Sequence, residues 1–326
     1  MKDIRDMDAA ETTTKADWLS RLAEIGDELG YFERLGDKHS AFFVDDGATL
    51  VVSFESLGAI RGGSDSQMPL GYSVARAQGW SHLCLIADGE TWYRDPAVYG
   101  YFDRLVDDAF FEDFDRVVFF GSGMGAYGAT AYSVAAPGAT VVAIQPVATL
   151  DPAVCEWDER FREQRRLCFT DRYGFAPDMI EGAGEVFVIY DPEVMLDAMQ
   201  AALFTKPYVT KLRCRNLGEA IGPSLQHMKV LVPLLTQAGE GRLNASAFYQ
   251  LYRARRDNGP YLRNLLSRTD SLRRPMLSAL LCRNVLARMN APRFRRRLSE
   301  LTEELEALGI DLPAPLRTAS DRDPVA

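Results

Sequence analysis

The chain has 326 residues, 47% of them hydrophobic and 25% charged, which suits one large α/β domain or such a domain with a helical appendage, in a globular composition. No apolar run reaches the roughly 18 to 20 residues that cross a bilayer, and the start "MKDIRDMDAAETTTKADW" lacks the basic and then apolar pattern of a secretory leader, so a cytoplasmic protein without membrane partners is expected. A net charge of −9 disfavours nucleic acid as a partner, and five widely spaced cysteines with no CxxC pair read as reduced thiols, so neither a metal nor a cofactor is expected.

About a dozen polar residues precede a helix that begins near Lys15, with Trp18, Leu19, Leu22, Ile25 and Leu29 at helical spacing. Strands follow. "AFFVDDGATLVVSFES" is two apolar runs joined through Asp46 and Gly47, the pattern of a hairpin. Then come "HLCLIAD", "DRVVFFG", "ATVVAIQP", "GEVFVIYD" and "YVTKLRC", short apolar runs suited to strands buried on both faces. Helical stretches separate them: "DPAVYGYFDRLVDDAFF" starts with Asp95 as N-cap and Pro96 in the first turn, and "DPAVCEWDERFREQRR" repeats the device with Asp151 and Pro152. Strands alternating with helices predict a mainly parallel sheet covered on both faces, with ligands beyond the carboxyl ends of the strands.

Composition changes sharply near Gly239 to Gly241. Between Arg242 and Arg297 there are fourteen arginines, no lysine and two acids, Asp257 and Asp270, a local net charge of +12. The region reads as helices. "PMLSALLCRNVLARMN" places Met276, Leu277, Leu280, Leu281, Val285, Leu286 and Met289 on one face, and "RFRRRLSELTEELEALG" repeats Phe294, Leu298, Leu301, Leu305 and Leu308. In the second, arginines stand at the positive end of the helix dipole and glutamates at the negative end, a mismatch of up to roughly 1 kcal/mol per unpaired charge, so acidic partners are expected. These are sought within the chain or in a second copy, making homo-oligomerisation through the Arg-rich helices an expectation. The resulting division is a flexible start at 1–13, an α/β domain at 14–240, the Arg-rich helices at 241–312 and a flexible tail at 313–326.

The most informative stretch is "VVFFGSGMGAYGATAY", in which a buried strand turns on glycines into a helix. A nucleophile elbow needs small residues two before and two after the nucleophile, because the strand turns too sharply for side chains there. Centred on Gly123 the requirement is met by Gly121 and Gly125; centred on Ser122 it meets Phe120 and Met124. "GSGMGAYGA" resembles the elbow of the α/β-hydrolase superfamily, over roughly residues 40 to 235, with glycine at the nucleophile position. The resemblance implies a sheet of that type, a carboxylate at Asp191 directly after "VFVIY", and a histidine in a loop where Gly218 and Glu219 stand. Two of three catalytic positions are therefore replaced, and a glutamate facing Asp191 is no neutral base. What remains is the oxyanion apparatus, which needs only backbone N–H groups such as that of Met124.

The principal expectation is thus a non-hydrolytic protein that binds a small carbonyl-bearing or anionic ligand at Gly121, Gly123, Met124 and Gly125, or a protein partner. The alternatives are enzymes. In the first, Ser122 is the nucleophile of a shifted elbow, with His227 or His82 as base and Asp191 and Glu219 nearby. In the second, "RGGSDS" resembles the phosphate loop of PP-loop ATP pyrophosphatases and phosphoadenosine-phosphosulfate reductases, departing from it at Arg61, and Gly62, Gly63, Asp65 and Ser66 hold phosphate.

Overall fold

The computed structural model describes residues 7–313. They form two compact units, divided between Arg253 and Ala254. The structural break thus falls a dozen residues beyond the change in composition, because the helix Ala245–Leu251 still belongs to the first unit, where Tyr249 Oη accepts the backbone N–H of Arg213 at 3.0 Å. The expected flexible ends fall largely at 1–6 and 314–326, outside the described residues. Residues 7–13 are tied down, since Ala9 is buried and donates its N–H to Ser66 O at 3.0 Å.

The first unit is built on strands β1 (Gly30–Leu35), β2 (His39–Val44), β3 (Thr49–Ser56), β4 (Ser81–Ala87), β5 (Arg116–Ser122), β6 (Thr140–Ile144), β7 (Glu185–Tyr190) and β8 (Val209–Arg213). They make one sheet in the order β1-β2-β4-β3-β5-β6-β7-β8, parallel throughout except that β2 runs antiparallel to both of its neighbours. This is an eight-stranded, mainly parallel α/β sheet of α/β-hydrolase type. The strands predicted from apolar runs are present, but β2 and β3 do not pair as a hairpin: β4 inserts between them, because both faces of β3 are apolar and its two edges take parallel partners, β4 and β5. β1 is a further strand, continuing directly from the helix predicted near Lys15.

The helices of the unit are α1 (Lys15–Leu29), α2 (Leu57–Gly63), α3 (Leu70–Gln78), α4 (Pro96–Asp107), α5 (Met124–Tyr132), α6 (Pro152–Cys155), α7 (Ala176–Met179), α8 (Met195–Ala202), α9 (Ile221–His227), α10 (Leu231–Gly239) and α11 (Ala245–Leu251). Thr14 caps α1 and Asp95 caps α4 through side-chain oxygens, as Asp151 caps α6. Trp18, Leu22 and Ile25 of α1 pack on Phe42, Cys84 and Ile86 across one face of the sheet. On the other face Phe54 stacks on Phe102, Phe119 and Tyr132, and burying a ring of that size contributes roughly 1.5–3 kcal/mol.

The long helix expected after Asp151 is only one turn of α6 followed by short 3₁₀ turns. The break is at Asp158, whose buried carboxylate accepts the N–H of Arg160, the Arg160 guanidinium at 2.7 Å and Gln200 Nε2 at 2.9 Å. These bonds hold the carboxylate below its usual range against the opposing effect of burial.

The second unit holds α12 (Gly259–Ser271), α13 (Pro275–Leu286) and α14 (Pro292–Ala307). Its core combines Leu262, Leu266, Cys282, Phe294, Leu301 and Leu305. α13 buries Ser278, Ala279, Cys282 and Val285; of the expected apolar face, Val285 is buried and Met276, Leu281, Leu286 and Met289 pack against the core, while Leu277 is exposed. Ser278 Oγ donates to Asp270 Oδ1 at 2.8 Å. Leu308 is likewise exposed beyond the end of α14. Arginines against the dipole of α14 are met in part within the unit, Arg297 bonding Asp270 at 3.2 Å and Glu300 at 2.9 Å.

Candidate active-site cleft

The site lies where β5 turns into α5. Gly121 and Gly125 are there for space: a Cβ on Gly121 would lie 2.1 Å from Gly125 O, and one on Gly125 would lie 2.1 Å from Phe54 O of the neighbouring strand. Neither backbone atom can move without breaking the crossing of helix and strand. Gly123 differs. It has φ 58° and ψ −119°, its N–H is bonded to Ile144 O at 2.9 Å, and a Cβ built on it meets nothing within 4 Å. The turn has the φ and ψ of a nucleophile elbow, and glycine, which takes a positive φ at no steric cost, stands at its apex. The first intrahelical bonds of α5 run from Ala126 and Tyr127 to Gly123 O, so the N–H groups of Met124 and Gly125 precede the ladder, as at any helix start.

Above this turn is a cleft of about 790 Å³ at the carboxyl ends of β3, β4 and β5. Its apolar wall includes Phe54, Leu57, Ile60, Met68, Trp92 and Phe161, and its charged groups are Glu55, Asp88 and Glu90. Trp92 and Tyr93 both have positive φ, 53° and 55°, which costs non-glycine residues about 1–2 kcal/mol each and places the Trp92 indole beside the elbow. The Trp92 backbone N–H contacts Met124 Sδ at 3.2 Å, and its ring meets Phe161 edge-on with centroids 4.8 Å apart. Phe161 comes from the broken segment after α6, which Arg94 ties down. The buried Arg94 guanidinium donates to Cys168 O at 2.7 Å, pairs with Asp171 and stacks on Tyr99 and Phe169.

The other sequence-predicted positions are spread around this centre. Ser122 is exposed on the cleft wall, and its Oγ lies 2.7 Å from where a Cβ of Gly222 in α9 would stand. Asp191 is 1% exposed. It accepts the N–H of Glu193 at 2.9 Å and of Gly218 at 2.8 Å, so the carboxylate at the acid position braces the backbone of the loop in which a histidine was sought. Glu219 is exposed, and the contact it supplies is its backbone oxygen, which accepts Gln145 Nε2 at 2.8 Å. The same Gln145 side chain bonds Asp197 and the N–H of Ile221.

Among the described residues no histidine is hydrogen-bonded to Ser122. His227 is exposed at the end of α9, and His39 is buried against Thr91 at 2.7 Å, its pKa lowered chiefly by burial. His82 is buried on the opposite face of the sheet and bonded to Ser53 Oγ at 2.9 Å. Burial lowers its pKa to about 3, so it is neutral. Ser53 Oγ donates to Glu55 Oε1 at 2.8 Å, leaving its lone pairs for the His82 Nε2–H. Glu55 completes the chain by accepting the N–H groups of Leu70 at 2.8 Å and Gly71 at 3.0 Å, the first residues of α3. Burial still raises its carboxyl pKa.

Glu55, His82 and Cys84 offer ligand atoms within 4.8 Å of one another. They do not fit a metal well: both carboxylate oxygens already accept hydrogen bonds, and burial raises the Cys84 thiol, favouring the protonated form that binds metals poorly. The "RGGSDS" segment also sits in the wrong context for a phosphate loop. Arg61, Gly62 and Gly63 are the last turn of α2 rather than the exit of a strand, and Arg61 reaches back to Thr13 O at 2.8 Å and Gln67 at 3.2 Å. Ser64 and Ser66 bond each other at 2.9 Å beside the exposed Asp65.

Of the cleft residues, Glu55 and Trp92 escaped sequence reasoning. An acid inside the apolar run "VVSFES" was a signal for the first; nothing local marked the second.

The elbow, the strand order and the cleft above the carboxyl ends together define an α/β-hydrolase-type fold. No protein-family model matches the chain, and no curated protein matches it. Solved structures match the chain at low identity. An esterase of Pyrobaculum calidifontis is 14% identical with a TM-score of 0.42, over 69% of this chain and 90% of that one. An esterase of Pyrococcus furiosus is also 14% identical with a TM-score of 0.42, over 70% and 94%. A chain of a glycosylation-associated protein complex from Streptococcus agalactiae is 16% identical with a TM-score of 0.41, over 61% of this chain and 44% of that one. Among the described residues no helix is long and apolar enough to cross a membrane.

Proposed function

We propose that this protein is a non-hydrolytic member of the α/β-hydrolase type that binds a small carbonyl-bearing ligand in the cleft above Gly123. The observation that carries the reading is the elbow itself: Gly123 holds the nucleophile's backbone conformation with open space where the side chain would be. The backbone donors that would stabilise an oxyanion need no side chain, so a carbonyl oxygen is held by Met124 N–H while no atom attacks its carbon. Asp191 supports the reading from the other side of the site, because the hydrogen bonds its carboxylate accepts come from the backbone N–H groups of Glu193 and Gly218 and not from a histidine.

The test is fluorophosphonate labelling of the purified protein with peptide mapping, alongside an ester-turnover assay. The expected result is neither label nor turnover. A label on Ser122 that disappears in Ser122→Ala would overturn the proposal and make the protein a hydrolase with a shifted elbow.

A further inference from the structure

We infer that the outer face of α14 is a docking surface for the same face of a second copy of this chain, with the two helices antiparallel. The inference is independent of what the cleft holds. It rests on the arrangement of charge along one helix.

α14 turns Phe294, Leu298, Leu301 and Leu305 toward the core of its unit. Its exposed charges are sorted by sign, with Arg293, Arg295 and Arg296 near the start and Glu303, Glu304 and Glu306 near the end. None of these six side chains makes an ion pair or hydrogen bond among the described residues, whereas Arg297 beside them pairs with Asp270 and Glu300. Each of the six therefore stands at the unfavourable end of the helix dipole with no side chain to offset it.

The order of these charges is its own complement. About the midpoint between Ser299 and Glu300, Arg296 mirrors Glu303, Arg295 mirrors Glu304 and Arg293 mirrors Glu306. At 3.6 residues per turn, Arg296 and Glu303 lie on the line opposite the buried face, Arg293 and Glu304 along one edge of it, and Arg295 and Glu306 along the other. Each line carries one charge of each sign. A two-fold axis through the midpoint, the symmetry of the commonest homodimers, therefore sets every arginine of one helix against a glutamate of the other. Antiparallel helices also bring the positive end of each dipole to the negative end of the other. The small Ser299 lies beside the axis, where the two helices approach most closely.

No single-signed partner answers both ends. A polyanion suits the arginines but meets the glutamates about 10 to 20 Å along the same helix, and a basic partner suits only the glutamates.

The test is sedimentation equilibrium of the full chain. Exposed ion pairs are individually weak, so the expected dissociation constant is on the order of 100 μM at 0.1 M salt. Raising the salt to 1 M shortens the screening length from about 10 to 3 Å and should weaken the dimer by about 10-fold or more. Arg296→Glu and Glu303→Arg, both at exposed positions and checked for folding by circular dichroism, set like charges against each other and should each abolish the homodimer. A mixture of the two variants should form a heterodimer, because each supplies the sign the other lacks, and a chain carrying both substitutions should dimerise as the wild type does. A chain that stays monomeric to about 1 mM at 0.1 M salt overturns the inference. So does a dimer that neither single substitution weakens, since its interface lies elsewhere. Loss in the single variants with no recovery in the mixture or the double variant rules out the antiparallel register. Binding of heparin that Arg296→Glu weakens, in a chain that remains monomeric, would make the arginines a polyanion site and also overturn it.

Discussion

The elbow and the acid corner are the two ends of the proposed site, and they are held in opposite ways. At the elbow the backbone sets the geometry and no side chain takes part: Gly123 holds φ 58° and ψ −119° with nothing near the place of a Cβ. At the acid corner a side chain does the holding: Asp191 follows β7 and accepts N–H groups from Glu193 and Gly218. The contrast teaches that a tight turn needs only backbone and space. A buried carboxylate, by contrast, persists only if it finds other donors, because leaving it unpaired is expensive.

Breaking the elbow's packing should have the largest effect. Gly121→Ala pushes a methyl against Gly125 O at 2.1 Å, and we expect a loss of about 3 kcal/mol or more, or no folded protein, in urea denaturation. A loss under about 1 kcal/mol would show that the crossing of β5 and α5 can relax. Next is the acid corner. Asp191→Ala leaves the half-buried Gly218 N–H without its acceptor, which should lower stability by about 1.5 to 3 kcal/mol through loss of a bond made to a charged group. If Asp191 were spare, the variant would match the wild type.

Gly123→Ser sharpens the comparison. There is room for the side chain, so the expected loss is the backbone strain alone, about 1 to 3 kcal/mol. The hydroxyl should remain inert to fluorophosphonate, because the structure puts no histidine beside it. Labelling of that variant would mean that a base is supplied from somewhere other than the three histidines.

The smallest effect per step is the dependence on pH. His82 is neutral in the folded chain with a pKa of about 3, below its ordinary 6.5. Between those values the unfolded chain binds more protons, so this residue's contribution is fully present above 6.5 and is lost as pH falls, by up to about 1.4 kcal/mol per unit. Glu55 works in the opposite sense just above its ordinary range, since burial raises its pKa and its protonated form is favoured in the folded chain. Unfolding measured from pH 7 to 4.5 should therefore be steeper for the wild type than for His82→Gln. Equal slopes would place the acid sensitivity elsewhere.

Much of the fold was legible because its strands are buried on both faces and so appear as short apolar runs set between capped helices. Asp95 and Asp151 marked helix starts, and both cap as expected. The elbow was legible too, since glycines at 121, 123 and 125 are a local requirement of a local turn. What stayed hidden were pairings between distant segments. Apolar runs on either side of Asp46 and Gly47 looked like a hairpin, yet the competition for the edges of β3 was won by β4 and β5. In α13 the apolar pattern marks Val285 and the flanking Met276, Leu281, Leu286 and Met289, whereas the burial of the small Ser278 and Ala279 beside them depends on what the other helices of the unit bring.

The same division holds at the site. By itself the sequence determined that glycine stands at the nucleophile position and an acid at the end of β7, because each is a statement about one residue in one local pattern. Only the tertiary structure decided that Asp191 braces the backbone at Gly218, that His82 is tied through Ser53 to Glu55, and that Glu90 and Trp92 line one cleft. Those facts depend on which strand ends are neighbours, and that is settled by packing across the whole sheet.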